Sequence, residues 1–350
     1  MRPAALTWAL APFYAMALAS GAKSFRDNPI IGSPTLNRAG LHVARLRLAC
    51  RMAEWRRARL QNLVSAEERA AFARDGFIVK YDFLPPPAFA AVRREALGFV
   101  APAREQWQGD ALTRRIALDR RALAQLPALR AMVAIPEWLG RVRYVGSSLL
   151  EPLVYVQTIF TRTRRAAPDP QTRLHADTFH PTVKAWLFLT DVADDEAPFV
   201  YVPGSHRPTP RRLAWERRMS VTARHSSDYQ ASRGSLRITA DELGRLGLGQ
   251  PVAFAVPANT LIVADTMGFH ARGPSARSVT RVEIWAYSRR NPFVPWLGGD
   301  VAAFPPVKGR AVPLYWAAMD LCERLKLGRN PWRRAGPTTA LNPPCAPAAG

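Results

Sequence analysis

The sequence predicts a mainly β protein with flanking helices, an α+β architecture whose strands form a barrel or jelly roll. Three observations carry this. From about residue 151 the chain is a series of short runs rich in β-branched and aromatic residues, separated by turn signals. Few helices of ordinary length interrupt those runs, which favours antiparallel sheet over βαβ units. Before residue 150, apolar steps of three and four and capping residues mark helices instead.

Residues 4 to 22, "AALTWALAPFYAMALASGA", carry no charge. They leave open a helix docked on the domain or lying at a membrane surface, a span, or a signal peptide. In residues 38 to 63, Leu41, Ala44, Leu48, Met52 and Trp55 form one apolar stripe. Arg45, Arg51, Arg56, Arg57 and Arg59 crowd the rest of that helix. It reads as packed on the main domain with a solvated basic face, or as lying on anionic lipid. Together, residues 1–63 form an N-terminal segment and a candidate membrane-surface element.

Ser65 and Glu68 form a capping box that starts the next helix, and Asp75-Gly76 ends it. "FIVKYDFL" reads as a strand, and "PPPAFAAVRREALGFV" as a helix opened by prolines. Residues 105 to 145 look mixed and mainly helical. The predicted strands then follow: "PLVYVQTIF", "VKAWLFLTDV", "PFVYVPGS", "PVAFAV", "TLIVADT" and "RVEIWAYS". Among them, residues 207–234 are polar and Arg-rich, a basic insertion or lid. The core domain is placed at 64–295 and a C-terminal extension at 296–350, its last dozen residues a loose tail.

The formal charge is +22, almost all of it from arginine. A basic surface implies an anionic partner: a membrane surface or an anionic small molecule, with nucleic acid ranked behind because no nucleic-acid module is visible. Three dispersed cysteines, Cys50, Cys322 and Cys345, form no disulfide framework. They fit a reducing, cytoplasmic location, with association at the inner face of a membrane left open.

The chemistry concentrates in "LHADTFHP", residues 174 to 181. On a strand, His175 and Asp177 point to one face. His180 then falls on the other face or in a following loop. His270, after "TLIVADT", supplies a third ligand. Two histidines and a carboxylate leave positions open on a metal, the arrangement of non-haem Fe(II) oxygenases. Arg281, at the start of "RVEIWAYS", is placed to grip the distal carboxylate of 2-oxoglutarate with its planar fork. Of the other histidines, His206 reads as structural, and His42 and His225 as surface residues.

"HADTFHPTVKAWLFLTDVADDEAPFVYVPGSHR", "TLIVADTMGFHARGPSARSVTR" and "ERAAFARDGFIVKYDFL" together resemble the phytanoyl-CoA dioxygenase family. The resemblance covers roughly residues 65 to 290. It implies a double-stranded β-helix (jelly roll, cupin-like) with an N-terminal helical region. It also implies Fe(II)- and 2-oxoglutarate-dependent hydroxylation, releasing succinate and CO2; the basic insertion and the basic, apolar N-terminal region point to a small-molecule or lipid-like substrate, with an anionic one as an alternative. His175, Asp177 and His270 would be the catalytic iron ligands, Arg281 the 2-oxoglutarate anchor, and Trp186 a wall of the co-substrate pocket. Arg272 departs from the family, standing two after the distal histidine where a small or hydroxyl residue is frequent. Two other readings are a catalytically inactive membrane-associated binding or scaffold protein on the same fold, and a nucleic-acid demethylase of the same superfamily.

Overall fold

The computed structural model describes residues 11–299, 307 and 309–344. Two antiparallel sheets face each other as a jelly roll with helices around them. The large sheet runs β1 (Phe77–Lys80), β8 (Leu261–Asp265), β5 (Val183–Phe188), β10 (Thr280–Ser288), β4 (Leu153–Phe160), β3 (Ala111–Ala117), β2 (Ala101–Gln108) and β11 (Arg333–Thr338). The small sheet runs β7 (Val252–Phe254), β6 (Phe199–Tyr201) and β9 (His270–Arg272).

Alternation along the strands decides what faces where. On one face of the large sheet, Val183, Ala185, Leu187, Leu261, Val263, Val282 and Ile284 join a core closed by α3 (Pro86–Gly98) and α4 (Pro136–Val145). On the other, Tyr155, Trp186, Phe188, Ile262 and Trp285 meet Phe199, Tyr201 and Phe254 of the small sheet. Trp186 packs on Phe199 with ring centroids 4.3 Å apart. Each large side chain buried there contributes about 1.5–3 kcal/mol.

The capping box at Ser65 and Glu68 starts α2 (Ala66–Asp75), which ends on Gly76 at φ 90°. The six strands anticipated after residue 151 all form. Residues 105–145 are mixed and mainly helical, as expected, with helices at Arg120–Gln125, Pro127–Val133 and Pro136–Val145; unforeseen is the hairpin that β2 and β3 form at the start of the stretch, turned at Gly109. Its strands are rich in charge and Gln because their inward side chains line a polar cavity, and that hides the apolar alternation.

α1 (Leu41–Arg59) forms, but its buried face is not the predicted stripe. Val43, Leu46, Ala49, Cys50 and Ala53 face the domain, together with His42, Arg45 and Arg56. Leu48 and Trp55 are exposed. The reason is hydrogen bonding. Arg45 donates to the carbonyls of Leu18, Ser20 and Ala22, and Arg56 to Ser147, Pro292 and Val294. These guanidinium groups serve as internal ties for irregular backbone.

His42 is therefore buried rather than on the surface. It is joined to Glu216 of α5 (Pro210–Thr222) at 2.8 Å, and Arg212 pairs with the same carboxylate. Much of the basic 207–234 segment is thus a helix docked on α1. The C-terminal stretch is held, not loose, as far as residue 344. β11 pairs with β2, Arg104 grips Asp320 of α6 (Ala311–Arg324), and Thr158 donates to the Ala340 carbonyl. Residues 345–350 and Cys345 lie outside the described residues, as do residues 4–10 of the uncharged N-terminal run. Among the described residues, no helix is long and apolar enough to cross a membrane.

Candidate metal centre

His175 does not sit on a regular strand. Besides an isolated antiparallel bridge to Arg237, it forms one with His270 of β9. The two residues exchange both backbone hydrogen bonds, at 3.0 and 2.9 Å, and Asp177 N donates to the Thr266 carbonyl. This local pairing keeps His175 and Asp177 on one face, as a strand would. The extended run then ends, and His180 falls in the loop.

Ligand atoms of His175, Asp177 and His270 all lie within 4.8 Å of one another. The His175 and His270 Nε2 atoms stand 3.8 and 3.7 Å from Asp177 oxygens. Their rings are 4.5 Å apart. The Nδ1 of His175 donates to the Arg173 carbonyl at 2.8 Å, and that of His270 to Gly268 at 2.9 Å. Each bond fixes the tautomer that leaves Nε2 bare. The buried His270 Nε2 has no hydrogen-bond partner. No side chain fits at Gly268, where a Cβ would lie 1.9 Å from the Tyr201 hydroxyl.

Burial, then the neighbouring His270, pushes the His175 pKa well down. Burial likewise lowers His270 to about 4. Both imidazoles are therefore neutral near pH 7. Burial opposes ionisation of Asp177, but the Lys184 ammonium, 2.6 Å away, and both imidazoles hold its pKa well below the usual carboxylate range. Two neutral imidazoles, a carboxylate and an orphaned nitrogen suit a divalent transition metal.

A cavity of about 310 Å3 opens from this cluster. Trp186, Arg272 and Arg281 all line it. Arg281 is already engaged: Nε donates to Glu283 at 2.9 Å, and Nη1 donates to the Ala197 carbonyl. Its Nη2 has no protein acceptor among the described residues. Arg272 pairs with Asp169. His180 is not on this wall; it is buried beside Gly21, with its pKa pushed to about 3 by burial. His206, read as structural, is buried 5.4 Å from the Phe72 ring.

Lys184 and Arg115 are among the cavity residues that escaped the sequence reading. Lys184 lies two positions before Trp186, so strand alternation places it inward with Trp186. Arg115 sits in the unforeseen hairpin and has no such signal.

The fold and the cluster define a jelly-roll protein with a candidate mononuclear metal centre. Residues 72–240 match the family model described as phytanoyl-CoA dioxygenase (PhyH). Among solved structures, it is similar to the non-heme alpha ketoglutarate dependent carbocyclase SnoK from nogalamycin biosynthesis. That match has 22% identity over 65% of this chain and 84% of that one, with TM-score 0.40. It is also similar to the epimerase SnoN in complex with Fe3+, alpha ketoglutarate and nogalamycin RO, at 16% identity over 81% and 96%, TM-score 0.41. A third is HygX from Streptomyces hygroscopicus with nickel, 2-oxoglutarate and hygromycin B bound, at 16% identity over 64% and 86%, TM-score 0.38. No curated protein matches the chain.

Proposed function

We propose that the protein is an Fe(II)- and 2-oxoglutarate-dependent dioxygenase that hydroxylates a small-molecule or lipid-like substrate. The observation that carries this is the cluster of His175, Asp177 and His270, with both Nε2 atoms bare, at the end of an arginine-lined cavity. Those three residues would hold the iron. When bound, Fe(II) would activate dioxygen at the expense of 2-oxoglutarate, which leaves as succinate and CO2.

The chain supplies the rest. The Nη2 arm of Arg281 receives the distal carboxylate of 2-oxoglutarate. Glu283 fixes the Arg281 fork in place before binding, so little ordering is needed on ligand entry. Trp186 and Phe199 form an apolar wall that keeps water from that end. Residues 64–295 act as the catalytic unit on this reading. The outward face of α1 carries Leu48 and Trp55 among Arg47, Arg51 and Arg59, which supports contact with an anionic membrane surface.

Anaerobic addition of Fe(II) and 2-oxoglutarate tests the reading. Wild type should develop a visible metal-to-ligand charge-transfer absorption, and His270→Ala should not. Arg281→Gln should raise the 2-oxoglutarate concentration needed by about tenfold. Absence of the absorption in the wild type, together with no succinate release in air, would refute it.

A further inference from the structure

A second cavity, about 240 Å3, meets the first at Asp177 and Lys184. Its walls are aromatic: Tyr155 from β4, Trp285 and Tyr287 from β10, Tyr315 and Trp316 from α6, and Trp332 just before β11. Arg115, Trp285 and Trp332 border both cavities. α6 and Trp332 lie outside the stretch matched to the family.

Arg115 is the unusual member. Its guanidinium carbon lies 3.8 Å from the Trp285 ring centroid and 4.5 Å from that of Trp332. Tyr155 is 5.3 Å away. Its Nε donates to Gln157 Oε1 at 2.8 Å. That amide is locked, because its Nε2 donates to Glu283 at 2.7 Å, and Glu283 is itself taken by Arg281.

The other cations of the first cavity have carboxylate partners: Arg281 has Glu283, Arg272 has Asp169, and Lys184 has Asp177. Arg115 has none among the described residues, and neither of its Nη groups meets a protein acceptor there. Burial lowers its pKa only to about 10, so it stays charged at neutral pH. Arg289, which also forms no ion pair among the described residues, adds positive charge on the same wall. A desolvated guanidinium with a free planar edge, clasped by two indoles, is built for a planar anion.

We propose that Arg115, held between Trp285 and Trp332, binds the carboxylate of a flat aromatic substrate whose ring lies in the second cavity. This rests on the proposed function in taking Asp177 as the edge of the reacting centre. The two cavities then divide the work: Arg281 takes the co-substrate anion on one side of Asp177, and Arg115 the substrate anion on the other.

The test is calorimetric titration of the full-length, metal-free protein with 2-naphthoate and with its neutral isostere 2-naphthamide. Wild type should prefer 2-naphthoate by about tenfold or more, the worth of one charge-assisted contact. Arg115→Gln should erase that preference, leave 2-naphthamide binding unchanged, and leave Co(II) uptake intact as evidence of folding. Trp332→Leu should weaken both probes. His175→Ala, which removes a metal ligand, should leave 2-naphthoate binding in place, so failure of the iron assignment is distinguishable from failure of this one. Equal affinity of wild type for both probes, or no binding of either at millimolar concentration, overturns the proposal whether or not Arg115→Gln folds. So does displacement of 2-naphthoate by 2-oxoglutarate alone, which would assign Arg115 to the co-substrate.

Discussion

His175 and His270, far apart in sequence, exchange both of their backbone hydrogen bonds. A pair joined this way points its side chains to the same side of the ladder. Asp177, two residues on, joins them. The geometry of the candidate metal centre is thus set by backbone pairing, and each imidazole is oriented by a main-chain carbonyl rather than by another side chain.

Metal uptake should therefore depend on the three side chains while the fold does not. His175→Ala or Asp177→Ala should lower Co(II) affinity by more than about 100-fold, beyond the typical cost of losing an outer hydrogen bond to a ligand. Calorimetric titration with Co(II) reads the affinity, and circular dichroism checks the fold. Unchanged uptake in both variants would remove the assignment.

The link between α5 and α1 should be a strong contributor to stability. Glu216 is fully buried, accepting from Arg212 at 2.9 and 2.8 Å and meeting His42 at 2.8 Å. Glu216→Ala strands a buried guanidinium and should cost about 3–5 kcal/mol in chemical denaturation. The double change Arg212→Met with Glu216→Leu removes both charges and should cost less. If the single change costs no more than the double, the charges are not what holds these helices.

Stability should fall in mild acid, in part because of His206. Burial, then the charges of Arg57 and Arg207, lowers its pKa to about 3. An unfolded histidine titrates near pH 6.5, so between those values the unfolded chain binds the extra proton. Stability is lost as pH falls through that window, by about 2 kcal/mol at pH 5 from this group alone. His206→Gln should show a flatter profile in urea denaturation between pH 7.5 and 5. Parallel profiles for the two proteins would exclude the effect.

Where a strand is rich in buried apolar residues, it was legible. β4, β5, β8 and β10 each bury apolar residues against helices, so apolar content marks them. β2 and β3 face a polar cavity, and "APAREQWQGDALTRRIA" carries no such apolar run. α1 misled for a related reason. Arg45 and Arg56 look like surface residues by type, yet unpaired backbone carbonyls of the N-terminal and 290s segments draw them inside.

The sequence by itself determined the three candidate ligands. His-x-Asp constrains its own geometry, and the distal histidine and Arg281 flank predicted strands in a definite order. Only the tertiary structure decided the rest of the cavity. Arg115, Lys184, Trp285 and Trp332 come from four separate elements, and no local spacing relates them. Closure of the jelly roll and pairing of β11 on β2 bring them together. Whether an arginine there is neutralised or free depends on which carboxylate the fold sets beside it: Glu283 goes to Arg281, and Arg115 is left facing the cavity.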